Sequence, residues 1–282
     1  MAFELGQPEP GSNIKRQVDG PLIRKLSISN FRNYAEASLK PCSPLVVLLG
    51  NNGAGKTNLL EAISMLSPGR GLRRAQLAQM ARAKTQTALT ENSCESPDQW
   101  AVSAKIESHG FQTKIGTAYD PTIAAEKTTK RLVKINGNVV NSQTALNDYL
   151  TISWLTPQMD RLFVDGSSQR RRFLDRLVFA FDALHSKRVN RYNYALRERR
   201  KLLKSWSQDT SWLEALENSL AEMGVAIVVT RQDLIRRLSP IIEKSMGLFP
   251  GAIISIEGKI ETWLKDRSAP VSYTHLTLPT KA

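Results

Sequence analysis

The sequence predicts an α/β protein, with an N-terminal head built on a mixed sheet and a lobe of long antiparallel helices. Three observations carry that prediction. An apolar run, a glycine-rich loop and a helical stripe follow one another between residues 45 and 66. Two stretches between residues 100 and 140 alternate apolar and polar side chains or close on a tight turn. Beyond Gln169 the apolar period lengthens to that of helices.

Taken in chain order, the first 20 residues contain Pro8, Pro10, Gly11 and Gly20 with interspersed charges and no apolar stretch, so they read as a flexible extension and not as a secretory signal. Ile23, Leu26, Ile28 and Phe31 then punctuate a strand. Pro44 introduces Leu45 to Leu49, an unbroken apolar run of the kind found in a strand buried on both faces. Asn58 to Leu66 places Leu59, Ala62, Ile63 and Leu66 on one helical stripe, ended by Ser67, Pro68 and Gly69. Trp100, Val102, Ala104 and Ile106 alternate with polar or small residues, and after His109-Gly110 the pattern resumes through Phe111, Ile115 and Tyr119, which makes a hairpin. A second hairpin is signalled by Asn136-Gly137 between Val133, Ile135 and Val139, because both turn residues tolerate the positive φ that a type I′ turn requires.

In the second half, Phe173, Leu177, Phe181 and Leu184 form a helical stripe continued by Tyr192, Ala195 and Leu196 toward Leu203. After a break at Ser205 to Thr210, Ser211-Trp212-Leu213-Glu214 has capping-box spacing and predicts a helix start. Leu213, Leu216, Leu220, Met223, Ile227, Thr230 and Leu234 recur at spacings of three and four, the seam of one helix packed along another.

Composition narrows the partners. The 282 residues carry 39 Lys plus Arg against 26 Asp plus Glu, a net charge of +13 that suits a polyanion such as nucleic acid or an acidic membrane surface. Residues 161–204 alone hold 13 basic and 4 acidic residues, net +9, and Arg70, Arg73, Arg74, Arg82 and Lys84 form a second cluster in a segment broken by Pro68, Gly69 and Gly71. A solvated helix face plus a mobile loop would account for both clusters equally; if the polyanion is DNA, the candidate contacts are Arg70, Arg73, Arg74, Arg170, Arg171 and Arg172, the last three of which could instead support a lobe contact or a dimer. No apolar run approaches the roughly 20 residues of a membrane span, so no bilayer crossing is expected. Cys42 and Cys94, without CxxC spacing, suggest neither a disulfide framework nor zinc, and fit a reducing cytosol.

The most informative stretch is Gly50-Asn51-Asn52-Gly53-Ala54-Gly55-Lys56-Thr57, which satisfies G-x-x-x-x-G-K-[ST] at every specified position. Such a loop wraps a polyphosphate with inward amides, and glycine permits both positive φ and a backbone approach that a Cβ would block. Lys56 reaches toward β and γ phosphates, while the Thr57 hydroxyl can ligate Mg2+ at a helix N-terminus whose dipole favours the anion. ATP with Mg2+ is the expected occupant.

Phe31-Arg32-Asn33-Tyr34, this loop, and Asn58-Leu59-Leu60-Glu61-Ala62-Ile63 together resemble the start of the RecF family of bacterial replication and repair proteins, within the SMC-like ATP-binding-cassette ATPases. The similarity continues through Ser67 to Arg73, the Asn136-Gly137 hairpin, Trp154 to Asp160 and Arg170 to Asp175, spanning most of residues 22–265. It implies an ATP-binding head at 21–160, a helical lobe or arm at 161–250, and the start of a returning head segment at 251–269. It further implies an ATP-dependent homodimer that binds single-strand gaps and DNA junctions, helps load recombinase, works in the cytoplasm and partners the RecO and RecR proteins. By the same resemblance Arg32 approaches the nucleotide phosphates, with an exposed Arg paired to a surface carboxylate as the alternative, and Gln158 is the Q-loop residue that touches Mg2+ or the attacking water.

Two elements of that family are missing. No apolar strand ends in Asp-Glu and no Ser-Gly-Gly-rich signature occurs; Val225 to Val229 is apolar but lies in the helical seam and precedes Thr230-Arg231. Residues 270–282 depart from the family pattern and resemble translated sequencing adaptor, so the expectation is a fragment truncated near Pro270 with an artefactual tail. The competing functional readings are a P-loop nucleoside kinase, which calls for a compact lid, and a DNA-binding module with a vestigial nucleotide loop.

Overall fold

The computed structural model describes residues 20–82, 99–121, 131–205, 209–244 and 250–266. The N-terminal extension before residue 20, Lys84, Cys94 and the tail from residue 267 lie outside the described residues. The chain forms two compact units, residues 1–154 and 155–282.

The first unit is organised by six strands: β1 (Leu22–Phe31), β2 (Tyr34–Leu39), β3 (Trp100–Ser108), β4 (Phe111–Tyr119), β5 (Leu132–Ile135) and β6 (Asn138–Val140). They pair antiparallel throughout, in the order β2-β1-β3-β4-β5-β6. Helix α1 (Lys56–Ser64) contributes Leu59 and Ala62 to the core, and Met65 and Leu66 follow at its end. They join Leu26, Ile28, Phe31, Trp100, Val102, Ile106 and Ile115, all nearly inaccessible. Both predicted hairpins form. His109 and Gly110 have φ of 50° and 81°, and Asn136 and Gly137 have φ of 49° and 89°, the left-handed pair that matches strand twist. An irregularity between Ile23 and Lys25 resets the β1 register, which is why Ile23 and Leu26, an odd number apart, can both face inward.

Two expectations fail here. Leu45 to Leu49 is not a strand: the segment makes no ladder, and Leu45, Val47 and Leu49 are 79%, 60% and 65% exposed. An apolar run becomes a buried strand only where neighbours supply lateral hydrogen bonds, and none of the six described strands runs beside it. Phe111 is likewise exposed, because it sits at the hairpin end past the last core residue of β4.

The second unit contains α2 (Ser167–Phe179), α3 (His185–Lys204), α4 (Thr210–Ile242) and α5 (Lys259–Asp266). The stripe beginning at Phe173 does not continue as one helix: residues 180–184 turn, leaving Phe181 and Leu184 exposed, and the buried positions are Asp175, Val178, His185 and Ala195. The seam of α4 is realised, with Leu216, Met223, Ile227 and Leu234 buried. Helix α3 lies antiparallel to α4, since His185 meets Thr230 while Arg199 meets Glu217. The α4 start differs from the capping-box expectation. Asp209 is the cap and accepts from the Trp212 amide at 2.9 Å, while Ser211 donates to the Asp209 carboxylate at 3.0 Å. A carboxylate accepts more strongly than a hydroxyl and also complements the positive helix end, so the acid wins.

Three helices are tied by a buried polar cluster. Asp175 of α2 accepts from Arg231 of α4 through two bonds of 2.8 and 2.9 Å and contacts His185 Nε2 of α3 at 2.9 Å. The opposite ring nitrogen, Nδ1, meets Thr230 Oγ1 at 2.8 Å. Burial by itself would push the Asp175 carboxyl upward, but the His185 and Arg231 contacts outweigh it and hold the group below the ordinary carboxylate value.

Candidate nucleotide site

The loop Gly50 to Thr57 runs into the N-terminus of α1, where no side chain caps the helix. The early amides of a helix lack intrahelical acceptors, so this end offers donors and a positive partial charge to an anion. Gly50, Asn51, Asn52 and Gly53 are exposed, and Ala54 closes the loop by donating to the Asn51 carbonyl at 3.2 Å. Lys56 folds back over the loop, its Nζ donating to the carbonyls of Gly50 at 2.6 Å and Asn51 at 2.8 Å. Thr57 is exposed at the same helix end.

Gly55 is the strictest position. Its φ is +101°, and a Cβ there would lie 2.5 Å from Asn33 Nδ2 and 2.7 Å from Tyr34 Oη. Both collisions come from the turn between β1 and β2, so the tyrosine and asparagine of that turn set the loop from outside. Tyr34 Oη donates to the Gly55 carbonyl at 3.1 Å, and Asn58 Nδ2 donates to Asn33 Oδ1 at 2.9 Å. Burial pushes the Tyr34 phenol up, which keeps it a neutral donor.

Below this layer sits Glu61, with a fully buried carboxylate. Arg32 grips it bidentately, Nε at 2.9 Å and Nη2 at 2.7 Å, while Nη1 donates to the Gln79 carbonyl at 2.8 Å. Arg73 adds a third bond to Glu61 at 3.1 Å and another to Asn58 Oδ1 at 2.7 Å. A buried carboxylate demands such compensation. Arg32 thus engages a buried carboxylate, where the alternative expected of it is a surface one.

The remaining candidates lie on other elements of the chain. Arg70 and Arg74 are exposed on the segment after α1, with no side-chain partner among the described residues. Gln158 lies exposed in a short 3-10 turn, Pro157–Arg161, in the second unit. On α2, Arg170 turns back to the carbonyls of Phe163 and Asp165, Arg171 donates to Ser167 Oγ at 2.9 Å, and Arg172 is exposed. Asn33, Tyr34, Asn58 and Glu61 carry no individual role in the sequence reading. Their signal was the spacing of Asn58 and Glu61, three residues apart and so on one face of α1.

These residues fit a nucleoside triphosphate: open amides, a primary ammonium and a glycine held where a side chain cannot go. For Mg2+ they supply one hydroxyl, Thr57, and no group of three or more His, Cys, Asp or Glu residues able to hold a metal occurs among the described residues. A Mg2+ ion that keeps its waters and takes phosphate oxygens needs no such group.

Residues 22–201 match the family model described as the RecF/RecN/SMC N terminal domain. A DNA replication and repair protein RecF from Allorhizobium ampelinum is 42% identical over 238 residues, 84% of this chain and 60% of that protein. The protein of the same name from Brucella suis biovar 1 is 43% identical over 257 residues, 90% of this chain and 63% of that one. The chain thus spans about 60% of the length of these curated relatives. Among solved structures, the recombination mediator protein RecF-ATPrS of the RecFOR pathway superposes with a TM-score of 0.75 at 22% identity, covering 92% of this chain and 66% of that one. The corresponding RecF-ATP structure gives 0.64 at 21% identity, covering 93% and 70%.

Proposed function

The chain belongs to the RecF/RecN/SMC N-terminal domain family, and from that premise we propose that it binds ATP through Gly50 to Thr57 and serves DNA replication and repair. The observation that carries this reading is the open, uncapped N-terminus of α1 behind a glycine loop with Gly55 at φ +101°. The loop amides and helix end take the phosphates, Lys56 leaves its two carbonyls to neutralise them, and Thr57 offers its hydroxyl to Mg2+. Bound ATP would supply a γ phosphate whose hydrolysis changes the state of the whole protein, with Gln158 as the sensor of that state.

The finer reading adds single-strand gaps and junctions as the DNA, RecO and RecR as partners, an ATP-dependent homodimer and a cytoplasmic setting. It rests on the resemblance, on the basic segment around Arg170 to Arg172, and on the relatives' names as replication and repair proteins. The nucleoside-kinase alternative is disfavoured by α3 and α4, which run 20 and 33 residues where a compact lid is called for.

Calorimetric titration of MgATP into the 282-residue chain tests the central claim, with Lys56→Ala as the comparison. Measurable uptake by the parent and at least a tenfold loss in the variant, roughly the weight of one charge-assisted contact, is the expected result. Equal affinity for both proteins would remove the site.

A further inference from the structure

Arg73 belongs to the basic segment that charge alone assigns to DNA, yet its guanidinium, although 44% exposed, is bonded to α1. Arg73 Nη1 donates to Asn58 Oδ1 at 2.7 Å and to buried Glu61 at 3.1 Å, both on α1. Asn58 continues the chain of bonds, donating to Asn33 at 2.9 Å, and the Asn33 amide occupies the space that a Gly55 Cβ would need. Three links therefore join Arg73 to the glycine at the mouth of the phosphate loop.

The segment that carries Arg73 is itself fastened to α1. Leu72 donates its amide to Ser64 Oγ at 2.7 Å. A Cβ on Gly71, at φ +65°, would come within 2.6 Å of Met65 Sδ. At the far side Arg131 donates to the carbonyls of Met65 and Ser67, which close the helix. Burial lowers that guanidinium to about 10, so at neutral pH it remains a cation against the negative helix end.

We infer that Arg73 is a positioning residue of the nucleotide site, acting through Asn58, and not a nucleic-acid contact. An asparagine at the third helical position needs both its amide ends fixed to present a constant face to the loop. Arg73 holds the oxygen and Asn33 takes the nitrogen. At metal sites, removing a residue that only orients a ligating side chain typically costs about tenfold or more, and the same logic sets the scale expected here. All three arginines of this segment are exposed, and Arg70 and Arg74, without the side-chain bonds that engage Arg73, remain the residues suited to a polyanion.

This assignment rests on the ATP reading, and the test separates the two. MgATP affinity is measured by calorimetry for the full chain, Arg73→Gln, Asn58→Ala and the double variant, with the thermal midpoint of each protein recorded without nucleotide. Arg73→Gln keeps the bidentate Arg32–Glu61 pair and should fold. The expected result is about a tenfold weaker affinity in Arg73→Gln, a similar loss in Asn58→Ala, and no further loss in the double variant. An unchanged affinity in Arg73→Gln, or additive losses in the double variant, would overturn the positioning role. Absence of binding by the parent chain would instead refute the phosphate-loop reading, and the inference with it.

Discussion

Tyr34 and Leu59 share one acceptor: the phenol donates to the Gly55 carbonyl at 3.1 Å, and the Leu59 amide donates to the same oxygen at 2.9 Å. The second bond is the first turn of α1, so the turn between β1 and β2 determines where the helix begins. For the phosphate binding proposed for this loop, its amides must converge before the ligand arrives, because ordering them afterwards subtracts from affinity. The buried phenol provides that order from a residue 21 positions away in the chain.

Gly55→Ala tests how rigid this arrangement is. A residue with a Cβ at φ +101° carries a left-handed penalty of about 1–2 kcal/mol, to which the contacts with Asn33 and Tyr34 add. We expect a thermal midpoint lowered by several degrees together with loss of MgATP binding, whereas Gly53→Ala, whose Cβ meets nothing within 4 Å, should lose only the left-handed term. Equal behaviour of the two variants in a melting experiment would mean that the Asn33 and Tyr34 contacts are not restrictive.

The Asp175 cluster makes the helical unit sensitive to acid. The folded carboxyl lies below its unfolded value of about 3.9, so its stabilisation is complete above that value and disappears as pH falls through the folded value. Asp175→Asn removes the charge that Arg231 and His185 face, and should cost on the order of 3 kcal/mol at neutral pH. It should also flatten the decline in stability below about pH 4. Urea unfolding at stepped pH checks both. A variant with the parent's acid slope would assign that slope to other carboxylates.

For the basic segment, Arg170 and its two neighbours should part company. Arg170 is spent on the carbonyls of Phe163 and Asp165, so Arg170→Ala should lower stability. Arg171 and Arg172 are exposed. Replacing both with alanine should leave the melting temperature unchanged and reduce the salt slope of DNA binding by about 0.9 for each DNA phosphate that is no longer neutralised. Fluorescence anisotropy across a salt series reads this directly, and an identical slope in the double variant would take these two residues out of the interface.

Local signals carried much of the fold. Two hairpins followed from His109-Gly110 and Asn136-Gly137, since a turn needing two positive φ angles is written in two adjacent residues. The α4 seam followed from spacing, because Leu216, Met223, Ile227 and Leu234 lie on one side of a helix whatever packs there. The helix cap stands two positions before the serine that the capping-box spacing points to, since Asp209, with Trp212 and not Glu three positions on, is outside that pattern but is the stronger acceptor and takes the helix end.

By itself the sequence determined the glycine loop, its lysine and the helix that follows, because a run of consecutive amides is made by neighbours in the chain. Tertiary structure alone decided that Glu61 would be buried beneath two arginines, that Arg73 would bond to α1, and that Leu45 to Leu49 would stand outside the sheet. The reason is common to all three. A side chain's partner, like a strand's neighbour, comes from residues distant in sequence, and hydrophobicity or charge specifies only that a partner is needed, not which residue will supply it.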